Sequence, residues 1–163
     1  MVFLGVNMNH AFIILIIFVL VSLSLALNAV GTGKLVIHVF SKNKRPSQEA
    51  LKQINAAIDK HREYYDIRYH DIEDEANLEL IHSLGLPSSH FPVAVVIDGK
   101  FTAQMGDRIS SFVHFPDFMH GIGRHEGNWS ISDLEAVLQD NSLLLTENIL
   151  PELEEDETEG DCE

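Results

Sequence analysis

Sulfur chemistry has almost nothing to work with in this chain: its 163 residues hold one cysteine, Cys162, second from the end. That count excludes an intrachain disulfide and a cysteine-built zinc site. The lone thiol sits on an acidic tail and reads as incidental, with an intermolecular disulfide as the sharper alternative. Basic residues are missing from both ends, since all 11 Lys and Arg lie between Lys34 and Arg124. Phosphate recognition needs a basic stripe, and without one no nucleic-acid partner is expected. Carboxylates are plentiful by contrast. The net charge is -14, and nine of the 25 Asp and Glu fall in 147–163, a stretch without a single cation.

Long apolar runs are confined to one place. Ala11 to Val30 is uncharged and almost wholly hydrophobic, beginning AFIILIIFVLVSL and ending among Ser24, Ala26 and Ala29. Two readings stay open. Small residues at Ser24 and Ala26 suit a cleaved signal peptide, and about 20 apolar residues also suffice for a membrane anchor. No Lys or Arg precedes the run, which weakens the first reading. Lys34, Lys42, Lys44 and Arg45 follow it, which under the positive-inside tendency favours a cytoplasmic domain. Membrane targeting is expected either way, with the product membrane-anchored or secreted (periplasmic in a bacterium). The layout is then a signal peptide or anchor over 1–30, a domain over 34–140 with an insert at 105–129, and an acidic tail over 141–163. The tail's composition predicts disorder.

From Lys34 onward the pattern is that of an α/β domain. LVIHVF (35–40) reads as a short buried strand. Pro46 suits the first turn of a helix, and Ala50, Leu51, Ile54, Ala57 and Ile58 give 47–62 one apolar face. YDIRYHDI (65–72) alternates weakly and predicts a second strand. Ala76, Leu80, Ile81 and Leu84 mark a short helix closed by Gly85. FPVAVVIDGKFTAQM predicts two strands joined at Asp98-Gly99, a pair that accepts the positive φ of a tight hairpin. Ser132 and Glu135 have capping-box spacing before a helix lined by Ile131, Leu134, Val137 and Leu138.

The resulting β-α-β-α-β-β-α order resembles the thioredoxin-like superfamily over roughly 34–104 and 130–139. In that family Cys-x-x-Cys opens the long helix, and Lys44-Arg45-Pro46-Ser47 stands in that place here. Gly85-Leu86-Pro87 and then Phe91-Pro92-Val93 fall where the family has a Gly-Ile pair and a cis-proline opening its third strand. The resemblance implies a central mixed sheet flanked by helices, a cis Phe91–Pro92 bond beside the 44–47 turn, and a groove for an extended peptide there. It also implies the site residues Lys44, Arg45, Pro46, Ser47, Phe91, Pro92 and Val93, with a protein or peptide as partner and no cofactor. The departure from the family decides the chemistry. Dithiol exchange needs a low-pKa thiolate and a second sulfur to resolve the mixed disulfide, and Lys44 and Ser47 supply neither. A non-catalytic binding protein is the expectation.

Two alternatives come from other classes. The insert MGDRISSFVHFPDFMHGIGRHEGNW (105–129) holds His114, His120, His125 and Glu126, a donor set that could bind a transition metal. Its bland reading is a glycine-rich loop whose Phe112, Phe115, Phe118 and Trp129 cover one sheet edge. Glutathione transferases, which also use a thioredoxin-like domain, place a hydroxyl at the same helix start, which would give Ser47 a role, but they add a large all-helical domain that no segment here reads as. Asn128-Trp129-Ser130 is a formal glycosylation sequon.

Overall fold

The structure is a computed structural model that describes residues 33–87, 91–119 and 126–151. The apolar N-terminal run, His120, His125 and the acidic end of the tail lie outside the described residues. Among the described residues no helix is long and apolar enough to cross a membrane.

The fold is mixed α/β, a small mixed sheet with helices packed against it. Strand β1 (Leu35–Ser41) runs into helix α1 (Ser47–Asp59), which returns the chain to β2 (Tyr65–Asp71). Strands β1 and β2 are parallel, in the register Ile37↔Ile67 and Phe40↔His70. Helix α2 (Leu78–Ser83) leads to β3 (Val93–Ile97), which pairs antiparallel with β1 and gives the order β2-β1-β3. Strands β4 (Thr102–Met105) and β5 (Arg108–Ser111) form a separate antiparallel pair, and helix α3 (Ile131–Gln139) follows.

Side-chain alternation explains why the sheet has two cores. Ile37 and Val39 of β1, with Val95 and Ile97 of β3, pack with Ile54, Ala57 and Ile58 of α1 and Leu134, Val137 and Leu138 of α3. Phe40, Ala94 and Val96 face the other way, onto Ile81, Leu86, Phe91 and Phe101. All five residues of β3 are therefore buried, which is why VAVVI reads as an unbroken apolar run rather than an alternating one.

The structure redraws three local readings. The Asp98-Gly99 turn is present with positive φ at both residues (50° and 77°), yet β4 does not continue the hairpin. After the Ile97–Lys100 bridge the chain leaves β3, and the return partner comes from inside the expected insert. There Val95 N–H donates to Phe112 O at 2.9 Å and His114 N–H to Val93 O at 3.0 Å. Phe112, Phe115 and Trp129 are accordingly core, while Phe118 stays 40% exposed. The capping box sits two residues early: Ser130 Oγ accepts from Asp133 N–H at 3.1 Å and Asp133 accepts from Ser130 N–H at 2.8 Å. Residues 141–151, read as the start of the tail, are fastened to β4. Thr102 O accepts from Leu145 N–H at 2.9 Å, and Ile149 N–H donates to Thr102 Oγ1 at 2.9 Å. Asn148 Oδ1 accepts from Phe101 N–H at 2.8 Å.

Asp133 ties this region together. Only 4% exposed, it accepts from Arg108 Nη2 at 2.5 Å and Ser110 Oγ at 3.1 Å besides the Ser130 N–H. Burial on its own would raise its pKa. The hydrogen bonds from Arg108, from the Ser130 backbone and from Ser110 outweigh it and hold the carboxyl below its ordinary value. A depressed carboxylate stabilises the fold above the unfolded-state pKa, and that contribution is lost as pH falls through the folded value. Asp133→Ala is expected to cost about 1–3 kcal/mol at neutral pH. Acid titration of stability below about pH 4 should then be shallower in the variant than in the parent. Urea denaturation at stepped pH measures both.

Candidate functional site

Of the residues expected to form a peptide groove, Ser47 and Pro92 are in contact, at the end of β1 where the chain turns into α1. Pro92 O accepts twice, from Lys42 N–H at 3.2 Å and from Ser47 Oγ at 3.0 Å. Ser41 pairs with Val93 across β1 and β3. The Lys42–Pro46 loop is thus sutured to the entry of β3.

The proline geometry differs from the expectation. Among the described residues the cis peptide bond is Arg45–Pro46, and Phe91–Pro92 is not cis. The cis expectation at Phe91–Pro92 was the main landmark of the thioredoxin-like resemblance, and the resemblance loses it here. Here the segment enters β3 with Phe91 fully buried in the core on the α2 side and the Pro92 carbonyl held by Lys42 and Ser47.

Accessibility divides the seven residues into two groups. Phe91, Pro92, Val93 and Ser47 are buried, so they support the site rather than line it. Lys44, Arg45 and Pro46 are exposed. Lys44 Nζ is paired with Glu73 Oε1 at 2.5 Å, whereas the Arg45 side chain is 87% exposed and its Nε lies 3.8 Å from Glu49. Of the two cations, Arg45 is the looser and the more available. The main chain of β3 is not available in the same way. It is bonded to β1 on one side and to residues 112–114 on the other, so an extended peptide cannot add along it as the analogy implied. Ser47 is likewise committed: its hydroxyl donates to Pro92 O and the residue is 1% exposed, which removes it as a partner for a ligand's thiolate.

The histidine insert is only partly in view. His114 is 3% exposed with φ of 70°, and Glu126 is exposed, its backbone bridged to Phe115. His120 and His125 lie outside the described residues, and among those described no three His, Cys, Asp or Glu converge on one point. The sequon's Asn128 has its amide built into the fold. Its Oδ1 accepts from Ser111 N–H at 2.8 Å and its Nδ2 donates to Ile109 O at 3.2 Å.

One histidine cluster escaped sequence reasoning. His38 Nδ1 lies 2.9 Å from His70 Nε2, His70 Nδ1 lies 3.3 Å from Asn77 Oδ1, and Phe40 stacks on His70 with centroids 4.8 Å apart. The His38 pKa is lowered, first by burial and then by His70 and Arg68, against a smaller opposing pull from Asp66. The hydrogen bond needs one ring nitrogen to donate and the other to accept, so the pair holds together only while at least one imidazole is neutral. The signal existed in the alternation of both strands, but only the parallel register sets the two residues on adjacent rows. An open pocket of about 420 Å³ lies at the opposite end of the sheet, between Leu35, His61, Tyr64, Tyr65, Leu138 and Asn141. It contains none of the expected site residues.

Comparison with known proteins returns no matching family model, no matching curated protein and no matching solved structure.

Proposed function

We propose that this chain is a non-catalytic thioredoxin-like protein, held at or beyond a membrane, that binds a protein or extended peptide at the Lys44–Pro46 turn. The supporting observation is the turn itself: three exposed residues, two of them cationic, on a loop fixed to the sheet through Pro92 O. A loop anchored at Lys42 and Ser47 presents its cations with little main-chain ordering cost on binding. The mixed sheet flanked by helices is the architecture that the resemblance implies. With Cys162 as the chain's single thiol, the site offers recognition and no dithiol exchange. Membrane attachment rests on the apolar run at 11–30.

Binding rather than chemistry gives the test. Purified full-length chain in mild detergent should bind a subset of an immobilised library of extended peptides, with acidic sequences favoured. Lys44→Glu with Arg45→Glu should weaken those peptides about tenfold or more, a loss of about 1.4 kcal/mol. The same reversal at Lys60, remote in sequence on the turn after α1, should leave them unchanged. Equal binding by the Lys44/Arg45 variant and the parent would overturn the reading.

A further inference from the structure

Among the described residues β2 pairs only with β1, which leaves its other side without a strand partner from Tyr65 to Asp71, buried at Tyr65 and open from Asp66 onward. Ile72 N–H donates to Ser41 O at 3.1 Å. The alternation of a parallel ladder then turns the main-chain groups of the even-numbered residues of β2 toward β1. Those of Tyr65, Ile67, Tyr69 and Asp71 turn outward. Proteins usually blunt such an edge with bulges, prolines, charged side chains or a cover, and the charges here, Asp66, Arg68 and Asp71, are of both signs. This one carries no proline, and its register with β1 is unbroken from Tyr65 to Asp71.

The side chains on this edge are complementary to themselves. Laid antiparallel against a copy about a two-fold axis at Ile67, the strand sets Asp66 opposite the copy's Arg68 and Arg68 opposite the copy's Asp66. Tyr65 then faces Tyr69, and Ile67 faces Ile67. Ile67 is an outward-bonding residue, so the central pair exchanges two main-chain hydrogen bonds, with up to four more where Tyr65, 4% exposed in the single chain, meets the copy's Tyr69. Moving the axis by one residue places Arg68 against Arg68 or Asp66 against Asp66, which like-charge repulsion disfavours. Within one chain Asp66 and Arg68 already pair at 2.7 Å, with both side chains about half exposed, so each is within reach of a partner strand.

We infer that the chain forms a two-fold dimer through the β2 edge, joining two β2-β1-β3 sheets into one continuous sheet. This interface is isologous and closed, so it gives dimers and not filaments. It stands whether or not the Lys44–Pro46 turn binds peptide.

The test uses the full chain in detergent, in a Cys162→Ser background so that no native thiol interferes. At the two-fold axis the Cα atoms of the two Ile67 residues would lie about 5.5 Å apart, within the usual disulfide range. Ile67→Cys should therefore cross-link to a dimer under mild oxidation, while Ile109→Cys, similarly accessible on β5, should not. Arg68→Asp should weaken the dimer at least tenfold by light scattering at graded concentration, and adding Asp66→Arg should restore it. Should Arg68→Asp fail to fold, the cysteine pair and the double swap still decide. Ile67→Cys cross-linking no faster than Ile109→Cys overturns the inference. So does a dimer indifferent to the charge reversal, which would place the contact in another part of the chain, or a chain monomeric in every variant, which would leave the edge to an extended peptide.

Discussion

Trp129→Ala is expected to lower the unfolding free energy by about 3–5 kcal/mol, the range for deleting a large aromatic from a core. Trp129 is 1% exposed and sits edge-on to Phe112, ring centroids 5.4 Å apart. Its Nε1–H is shared between Val113 O at 3.2 Å and His114 O at 3.3 Å, so the ring also fastens the 112–115 segment that borders β3. Truncation would open a cavity beside Phe112 and release two buried carbonyls from their donor. Trp129→Phe keeps most of the apolar volume and loses the N–H, so about 1–2 kcal/mol is expected there. Phe118→Ala, at 40% exposure, should change stability by less than about 0.5 kcal/mol. Trp129 is the chain's one tryptophan, so far-UV circular dichroism in urea and not fluorescence is the measurement. Equal losses for Trp129→Ala and Phe118→Ala would mean that the aromatic residues of 105–129 form a surface cover and not part of the core.

How far the sequence disclosed this fold depends on how local each signal was. The strand read at 35–40, the helix after Pro46, the short helix before Gly85 and the helix lined by Leu134, Val137 and Leu138 were all legible, because each is written within its own residues, as a short apolar β-branched run or a 3.6 period. The Asp98-Gly99 turn was legible for the same reason: its φ angles are set by two residues. What lay beyond reach was pairing. Nothing in FVHF says that residues 112–114 will border β3, because an isolated apolar tetrapeptide is equally a loop cover or a strand. The cap was displaced because Ser130 and Ser132 offer the same i,i+3 spacing to Asp133 and Glu135. Tertiary contact broke the tie, since Arg108 and Ser110 sit where they bond Asp133. Of the candidate site, the sequence placed Ser47 near Pro92, and the two are hydrogen-bonded. Its accessible part was not legible, because exposure of Arg45 and burial of Ser47 depend on the packing of the whole sheet.

Gly127 has no legible sequence signal at all, and its replacement carries the second large expected effect. A Cβ there would lie 2.6 Å from Val113 O, 2.8 Å from Phe115 O and 2.8 Å from Trp129 Cδ1. All three are closer than real Cβ contacts, and two are backbone atoms that cannot rotate away. The approach is fixed by the glycine's own hydrogen bond, Gly127 N–H to Phe115 O at 2.7 Å, and by Asp117 N–H to Trp129 O at 2.8 Å on the next turn of chain. Gly127→Ala should therefore cost about 3 kcal/mol, and Gly127→Val should cost more, since extra methyl groups meet the same carbonyls. By contrast Gly33→Ala meets no atom within 4 Å and should be near neutral. Coupling separates the causes. Trp129→Ala removes one of the three collisions, so the double variant Gly127→Ala/Trp129→Ala should be less destabilised than the two single losses added together, by about 0.5–2 kcal/mol. Full additivity would show that Trp129 does not limit the space at Gly127. An unaltered denaturation midpoint for Gly127→Ala would show that the 113–115 carbonyls do not approach residue 127 as closely as described.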